Sequence, residues 1–236
     1  GDTGVVPFGT GTFGSRSIGV GGSALHRAAM KVVAKGKRIA AHLLEASEAD
    51  IEFRNGAFAV VGTDRRLVFE EIAHAAHVPH NYPLEELEPG LHEIAFYDPP
   101  NFAFSNGAHV AEVEVDPETG ALRIVGYWVV DDIGVVINPM VVEGQVHGGL
   151  AQGIGQALLE ACGYEGEGGQ LLSASLMDYA LPRADHLPMF VSELDQSQPC
   201  THNPLGAKGC GESGAIGAPA ATLSAILDAL WPLGVD

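Results

Sequence analysis

Positive charge is what this sequence has least of. Twelve Lys and Arg stand against 30 Asp and Glu in 236 residues, a formal charge of -18. So acidic a surface repels phosphate backbones and anionic lipid headgroups, whose binding is mostly cationic neutralisation, so no nucleic-acid partner is expected. Cysteine is nearly as scarce. Cys162, Cys200 and Cys210 are odd in number and lack Cys-x-x-Cys spacing, which argues against a disulfide framework and for a reducing, cytoplasmic setting. No run approaches the roughly 18 apolar residues of a membrane span, so membrane insertion is not expected, nor is a signal peptide. Gly1-Asp2-Thr3-Gly4 lacks an initiator Met and leads straight into glycine-rich sequence, which reads as a fragment or one piece of a split subunit.

What is present is apolar content, 46% of the chain, enough for one large domain or two small ones. Apolar pairs Ala28/Ala29, Val32/Val33, Ile39/Ala40 and Leu43/Leu44 recur at helical spacing and predict a helix over 24–45 with Ser23 as N-cap. Short strands are expected at Ile51–Phe53, Ala57–Val61 and Leu67–Phe69, the first two joined by an Asn55-Gly56 turn. The Pro-rich stretch 78–100 reads as loop. His109–Val115 and Leu122–Val130 alternate around Asp116–Gly120, the clearest hairpin in the chain. A helix is expected over 139–160 with Pro139 in its first turn. Another is expected over 218–230, with Leu223, Ile226, Leu227 and Leu230 facing inward. Strands followed by helices without βαβ alternation predict an α+β fold of antiparallel or mixed sheets with packed helices.

Three stretches call for an explanation. Gly9, Gly11 and Gly14 match G-x-G-x-x-G, but Pro7 precedes them and the acidic residue due about 20 positions on falls in the basic run Lys31–Arg38, so a dinucleotide fingerprint is rejected. Close glycines followed by hydroxyls and Arg16 can still turn N–H groups and a guanidinium toward phosphates; the bland alternative is a surface loop. In the helix after Asn138, Gln145, Gly149, Gln152 and Gln156 fall within about 60° of one another, on the other side from Val146, Leu150, Ile154 and Leu158. Glycines 144, 148, 149, 153 and 155 each cost such a helix roughly 1 kcal/mol, implying close approach by a ligand or by another helix. Finally, Asn203–Gly214 sets Glu212 in nearly bare glycine before a helix start. A carboxylate there is expected to lose part of its hydration and suit general-base work, or to be only a helix-terminal charge. Lys208 is a candidate for an anionic cofactor group, or is merely solvated.

Other constellations carry less. His74, His77 and His80 would spread over about 120° of a helix that Pro79 ends, so a solvated turn is expected there and no metal site. Cys210 lies beside Glu212 but has no His within several residues to activate it, so it reads as a small buried side chain. Glu112, Glu114 and Asp116 read as a wet strand face.

Taken in order, these stretches resemble one family. Gly11-Thr12-Phe13-Gly14-Ser15-Arg16-Ser17 is similar to the pterin-cofactor loop of the molybdenum hydroxylase, or xanthine oxidase, family. Asp131-Asp132-Ile133-Gly134, Ile137-Asn138-Pro139, Gly144–Gly149 and Gln152–Gly155 resemble its central helix region. Met177-Asp178-Tyr179 and Gly206–Ser213 complete the series, from about residue 4 to 234. The resemblance is to the C-terminal portion of the large, molybdopterin-binding subunit. It leans toward the carbon monoxide and aldehyde dehydrogenase branch, with residues 1–236 as one region sub-divided near 100–105.

The resemblance implies a molybdenum ion held by the dithiolene of a molybdopterin, commonly the cytosine dinucleotide form in bacteria, with no protein metal ligand in this chain. Thr12, Phe13, Gly14, Ser15, Arg16 and Ser17 would hold the pterin and its phosphates, Gln145 would hydrogen-bond near the molybdenum end, and Lys208 would reach the cofactor. Glu212 would act as catalytic base or orienting group in oxidising or hydroxylating a small substrate with oxygen from water. In carbon monoxide members a copper is tied to a cysteine whose motif is absent here. Implied partners are the remainder of the large subunit or a companion chain, and iron–sulfur and FAD subunits. The chain alone would be catalytically incomplete. The competing expectation is a binding or scaffold module that keeps the fold without the chemistry.

Overall fold

A computed structural model describes residues 2–6, 8–9 and 11–235. Thr10, one position of the Gly9–Gly14 pattern, and Pro7 lie outside them. The chain forms two compact units, Gly21–Asp98 and the combination of Gly1–Val20 with Pro99–Asp236. The architecture is α+β, as expected from the sequence.

The smaller unit packs helix α1 (Ser23–Leu43) on a three-stranded antiparallel sheet of β1 (Ile51–Arg54), β2 (Ala57–Val60) and β3 (Arg66–Val68). Asn55 and Gly56 both take positive φ, which lets Arg54 pair with Ala57 across the predicted turn. Phe58 is fully buried, and its ring occupies the space where a Cβ on Gly36 of α1 would stand. Ile39, Ile51 and Ile72 complete that core. Two expectations fail here. Ser23 is no N-cap: a π-helical turn over Ser17–Gly22 runs directly into α1, and the cap position falls on Gly22. Phe69 begins a helix, α2 (Phe69–His77), instead of ending a strand, and the Glu71 carboxylate accepts from the Val68 N–H at 2.8 Å to start it.

The larger unit is built on β4 (Asn106–Val115), β5 (Leu122–Asp132) and β6 (Phe190–Asp195), in that order across the sheet. β4 and β5 form the predicted hairpin, its turn tied by Asp116 accepting from the Glu118 N–H and the Thr119 hydroxyl. β6 was not foreseen. It pairs parallel to β5 after a long crossover through helix α3 (Pro139–Leu158), which makes the sheet mixed. Asn138 caps α3 through a bond from the Val141 N–H, with Pro139 in the first turn. Val142, Val146, Leu150 and Ile154 press onto Tyr127 and Val129 of the sheet.

Helix α4 (Ser213–Leu230) starts earlier than its sequence implied, so Pro219 lies in its interior. Its buried face is Gly214, Ala218 and Thr222, at i+4 spacing, while Leu223 and Leu227 are about half exposed. The small residues face inward because α3 and α4 meet backbone to backbone. A Cβ on Gly149 would stand 2.9 Å from the Ala215 nitrogen, one on Gly153 2.7 Å from the Ala218 Cβ, and one on Gly214 2.5 Å from the Val146 carbonyl oxygen. By length and composition alone Ser213–Leu233 would pass for a membrane span, which counting uninterrupted apolar residues does not reveal. Within this unit it packs against α3 and β4.

Candidate active site

The glycine-rich loop lies in the larger unit. Gly11, Gly14 and Ser15 have φ of 76°, 58° and 53°. Two successive left-handed residues at Gly14-Ser15 fold the backbone sharply, an uncommon arrangement when one carries a side chain. The Thr12 and Ser17 hydroxyls bond each other at 2.9 Å, and the Arg16 guanidinium lies 5.2 Å from the Phe13 ring centroid. Thr12, Phe13, Gly14 and Ser17 are exposed and Ser15 and Arg16 half-buried, so the loop presents hydroxyls, a guanidinium and an aromatic ring to its surroundings.

Glu212 meets this loop across 197 residues of sequence. The Ser15 hydroxyl donates to Glu212 Oε2 at 2.7 Å and accepts from the Glu212 N–H at 3.0 Å. The approach is so close that a Cβ on Gly209 would stand 2.0 Å from the Ser15 carbonyl oxygen. A Cβ on Gly211 would be 3.4 Å from Ser15 Oγ and 3.6 Å from Gln145 Oε1. Thus Ser15, Gln145 and Glu212 converge on one bare stretch of glycine backbone. Glu212 is also the N-cap residue of α4, yet its side chain forms no cap bond; it goes to Ser15. The expected loss of hydration does not arise within this chain: Glu212 is exposed.

Lys208 stands apart from the three. Its ammonium is at 2.5 Å from Asp132 Oδ2, with side chains 12% and 16% exposed. Burial alone would raise the Asp132 carboxyl, but the Lys208 ammonium and the Gly134 N–H outweigh it and hold the group below its ordinary value. Backbone bonds reinforce the pair. Val135 N–H donates to Gly206 O at 2.9 Å and Lys208 N–H to Ile133 O at 2.7 Å, laying the segment before Glu212 along the end of β5.

Of the five glycines in α3, Gly149 and Gly153 are buried against α4, which is the helix-packing alternative, and Gly155 is buried against Glu160 and Pro182. Gly149 therefore does not share the open face of Gln145. Gly144 and Gly148 have nothing within 4 Å of a would-be Cβ and leave backbone open beside Gln145.

A cluster that sequence reasoning missed lies beneath the site. Asp131 is 1% exposed, and its Oδ2 has no partner. His109 Nδ1 bonds the Tyr127 hydroxyl at 2.9 Å. Burial, more than the attraction of His109, sets the Asp131 carboxyl, which is raised. Burial lowers His109, against the pull of Asp131, and pushes Tyr127 up to about 12 with help from Asp131. Cys210 is half-buried, where full burial was expected, and its thiol is raised by the same two causes, which keeps it protonated and disfavours a nucleophile. Asp131-Asp132 was visible as a pair; nothing in its spacing said that one carboxylate would take an ammonium and the other none. Among the described residues no three or more His, Cys, Asp or Glu converge as metal ligands.

Comparison with known proteins bears on this arrangement. Residues 1–188 match the family described as molybdopterin cofactor-binding domain. The chain is 40% identical, over all its 236 residues, to the carbon monoxide dehydrogenase large chain of Hydrogenophaga pseudoflava, covering 29% of that protein. It is 43% identical over 232 residues, 97% of its length and 29% of the relative's, to the 6-hydroxypseudooxynicotine dehydrogenase complex subunit gamma of Paenarthrobacter nicotinovorans. The crystal structure of a Cu,Mo-CO dehydrogenase in its carbon monoxide reduced state superposes with a TM-score of 0.90 at 39% identity, over 99% of this chain and 29% of that one. The chain thus spans less than a third of the length of these relatives.

Proposed function

The chain belongs to the molybdopterin cofactor-binding domain family, and from that premise we propose that it is the C-terminal part of the molybdenum-carrying subunit of an oxidoreductase, with Glu212 as its base. The observation that carries this reading is the junction of Ser15 with Glu212 at 2.7 Å, beside Gln145. It joins an anion-suited loop to a carboxylate at a helix start.

The residues present fit the cofactor. Gly11, Gly14 and Ser15 take positive φ, the kind of turn in which successive backbone N–H groups can form an anion-binding concavity. Arg16 supplies a planar guanidinium for phosphate oxygens, and Thr12 and Ser17 supply hydroxyls. Phe13 offers a ring face to the pterin or base. Open backbone at Gly144 and Gly148 lets the molybdenum end approach Gln145, whose amide both donates and accepts. When bound, the molybdenum cofactor supplies the centre that takes two electrons from the substrate. The cytosine dinucleotide form is proposed.

Glu212 accepts a proton from water, whose oxygen goes to the substrate, or holds that water in line. Its hydration is then stripped by the bound group and by protein outside this chain. Lys208 acts on the cofactor side through its position: paired with Asp132, it fixes the segment that carries Glu212. The substrate is a small molecule such as carbon monoxide or an aldehyde. The partners are the remainder of the large subunit and iron–sulfur and FAD subunits, in the cytoplasm. Support for a covering partner is the apolar outer face of α4, where Ile216 is 75% exposed.

Replacing Glu212 by Gln in the assembled enzyme tests the reading. Turnover is expected to fall by about 10²–10⁴-fold, the worth of a positioned base, with molybdenum content unchanged. Retained turnover would make Glu212 a helix-terminal charge and favour the scaffold alternative.

A further inference from the structure

Among the hydroxyls of the glycine-rich loop, Ser15 differs from Thr12 and Ser17. Those two bond each other. The Ser15 hydroxyl is engaged twice by one residue, giving its proton to the Glu212 carboxylate and accepting from the Glu212 N–H. A serine hydroxyl has one proton to give. While it goes to an ionised Glu212, the remaining lone pair is useless to a phosphate diester, which offers only acceptors. Ser15 therefore cannot bind a cofactor phosphate through its hydroxyl without releasing Glu212.

The backbone is built around this contact. Ser15 occupies the left-handed region at φ 53°, a conformation that persists in a residue with a side chain only when its surroundings over-determine it. The constraint visible here is Gly209, where any Cβ would collide with the Ser15 carbonyl oxygen. A glutamate has three rotatable side-chain bonds, and a single hydroxyl tied to both its carboxylate and its own N–H closes a ring that removes most of that freedom. Oε2 is held by the Ser15 hydroxyl, leaving Oε1 for the reacting proton.

We propose that Ser15 is a positioning residue for Glu212, fixing the carboxylate at the start of α4, and is not a side-chain ligand of the cofactor. This rests on the reading of Glu212 as the base. It removes Ser15 from the hydroxyls assigned to the pterin and its phosphates and leaves Thr12, Ser17 and Arg16 in that role.

The test uses the assembled enzyme and whichever of carbon monoxide, an aldehyde or an N-heteroaromatic ring the unsubstituted protein oxidises. Ser15→Ala, Ser15→Asn, Glu212→Gln and the Ser15→Ala/Glu212→Gln double variant are compared. Ser15→Ala should retain full molybdenum and cytosine nucleotide content, keep KM within about twofold, and lose about 10–100-fold in kcat, the scale of a misplaced reacting group. Ser15→Asn tolerates the left-handed backbone and carries a donor, so it should recover most of that loss. In the Glu212→Gln background, Ser15→Ala should cost no more than about twofold, because the two act as a unit. Loss of molybdenum or nucleotide in Ser15→Ala, or full additivity in the double variant, overturns the proposal while leaving the base reading intact. An active Glu212→Gln overturns both.

Discussion

A carboxyl group 1% exposed with an unpartnered oxygen, as at Asp131, is costly to ionise, and burial accordingly raises its proton affinity. Between the ordinary aspartate range and its raised value, the folded protein holds a proton that the unfolded chain has released. Stability contributed by the neutral form is therefore present at low pH and lost as pH rises through that window. His109 acts oppositely: burial lowers it, so the folded state refuses a proton that the unfolded chain takes up below its ordinary value, and stability is lost as pH falls. Asp131→Asn removes the first effect without changing shape. The variant should melt at a higher temperature than the unsubstituted protein at pH 8, with a smaller gain at pH 5, read by calorimetry. A lower melting temperature at pH 8 would show instead that Asp131 is ionised and paired with His109.

At the scale of the element, α3 contains its own control experiment. Gly153→Ala drives a Cβ to 2.7 Å from Ala218 and 2.9 Å from the Pro219 ring, so α3 and α4 must separate. It should destabilise by about 1–3 kcal/mol, the range for overpacking a core, despite the better helix propensity of Ala. Gly144→Ala adds the same methyl to open space and should stabilise by up to about 1 kcal/mol. Thermal unfolding of the two variants in opposite directions is the expected result; equal shifts would mean that the interhelical contact is not close. The sequence showed which elements exist wherever periodicity is long, as in α1, α3 and the β4–β5 hairpin. It hid β6, whose partner is remote and parallel, and the start of α4, where glycines and Pro219 obscure the helical pattern. It also misdirected the inward face of α4: Leu223 and Leu227 carry the hydrophobicity, but close packing on α3 selects Gly214, Ala218 and Thr222.

For the whole molecule, the site was legible as separate stretches and not as an arrangement. The glycine-rich loop, Gln145 and Glu212 were recognisable from their residue types and order. That Ser15 bonds Glu212, and that Lys208 is committed to Asp132, follows from chain contacts 197 and 76 residues apart, which no local pattern encodes. The exposed apolar face of α4 and the exposed Glu212 belong together with a chain that spans 29% of its relatives' length. On the proposed reading, protein outside this part completes the site. Every role proposed for Glu212 depends on the cofactor. Molybdenum by elemental analysis and pterin by fluorescence, on the protein purified from its native host with whatever accompanies it, test it most directly. One molybdenum and one pterin per chain, in company with further polypeptide, is the predicted result. A metal-free, pterin-free protein would contradict it and leave Glu212 without a reaction to serve.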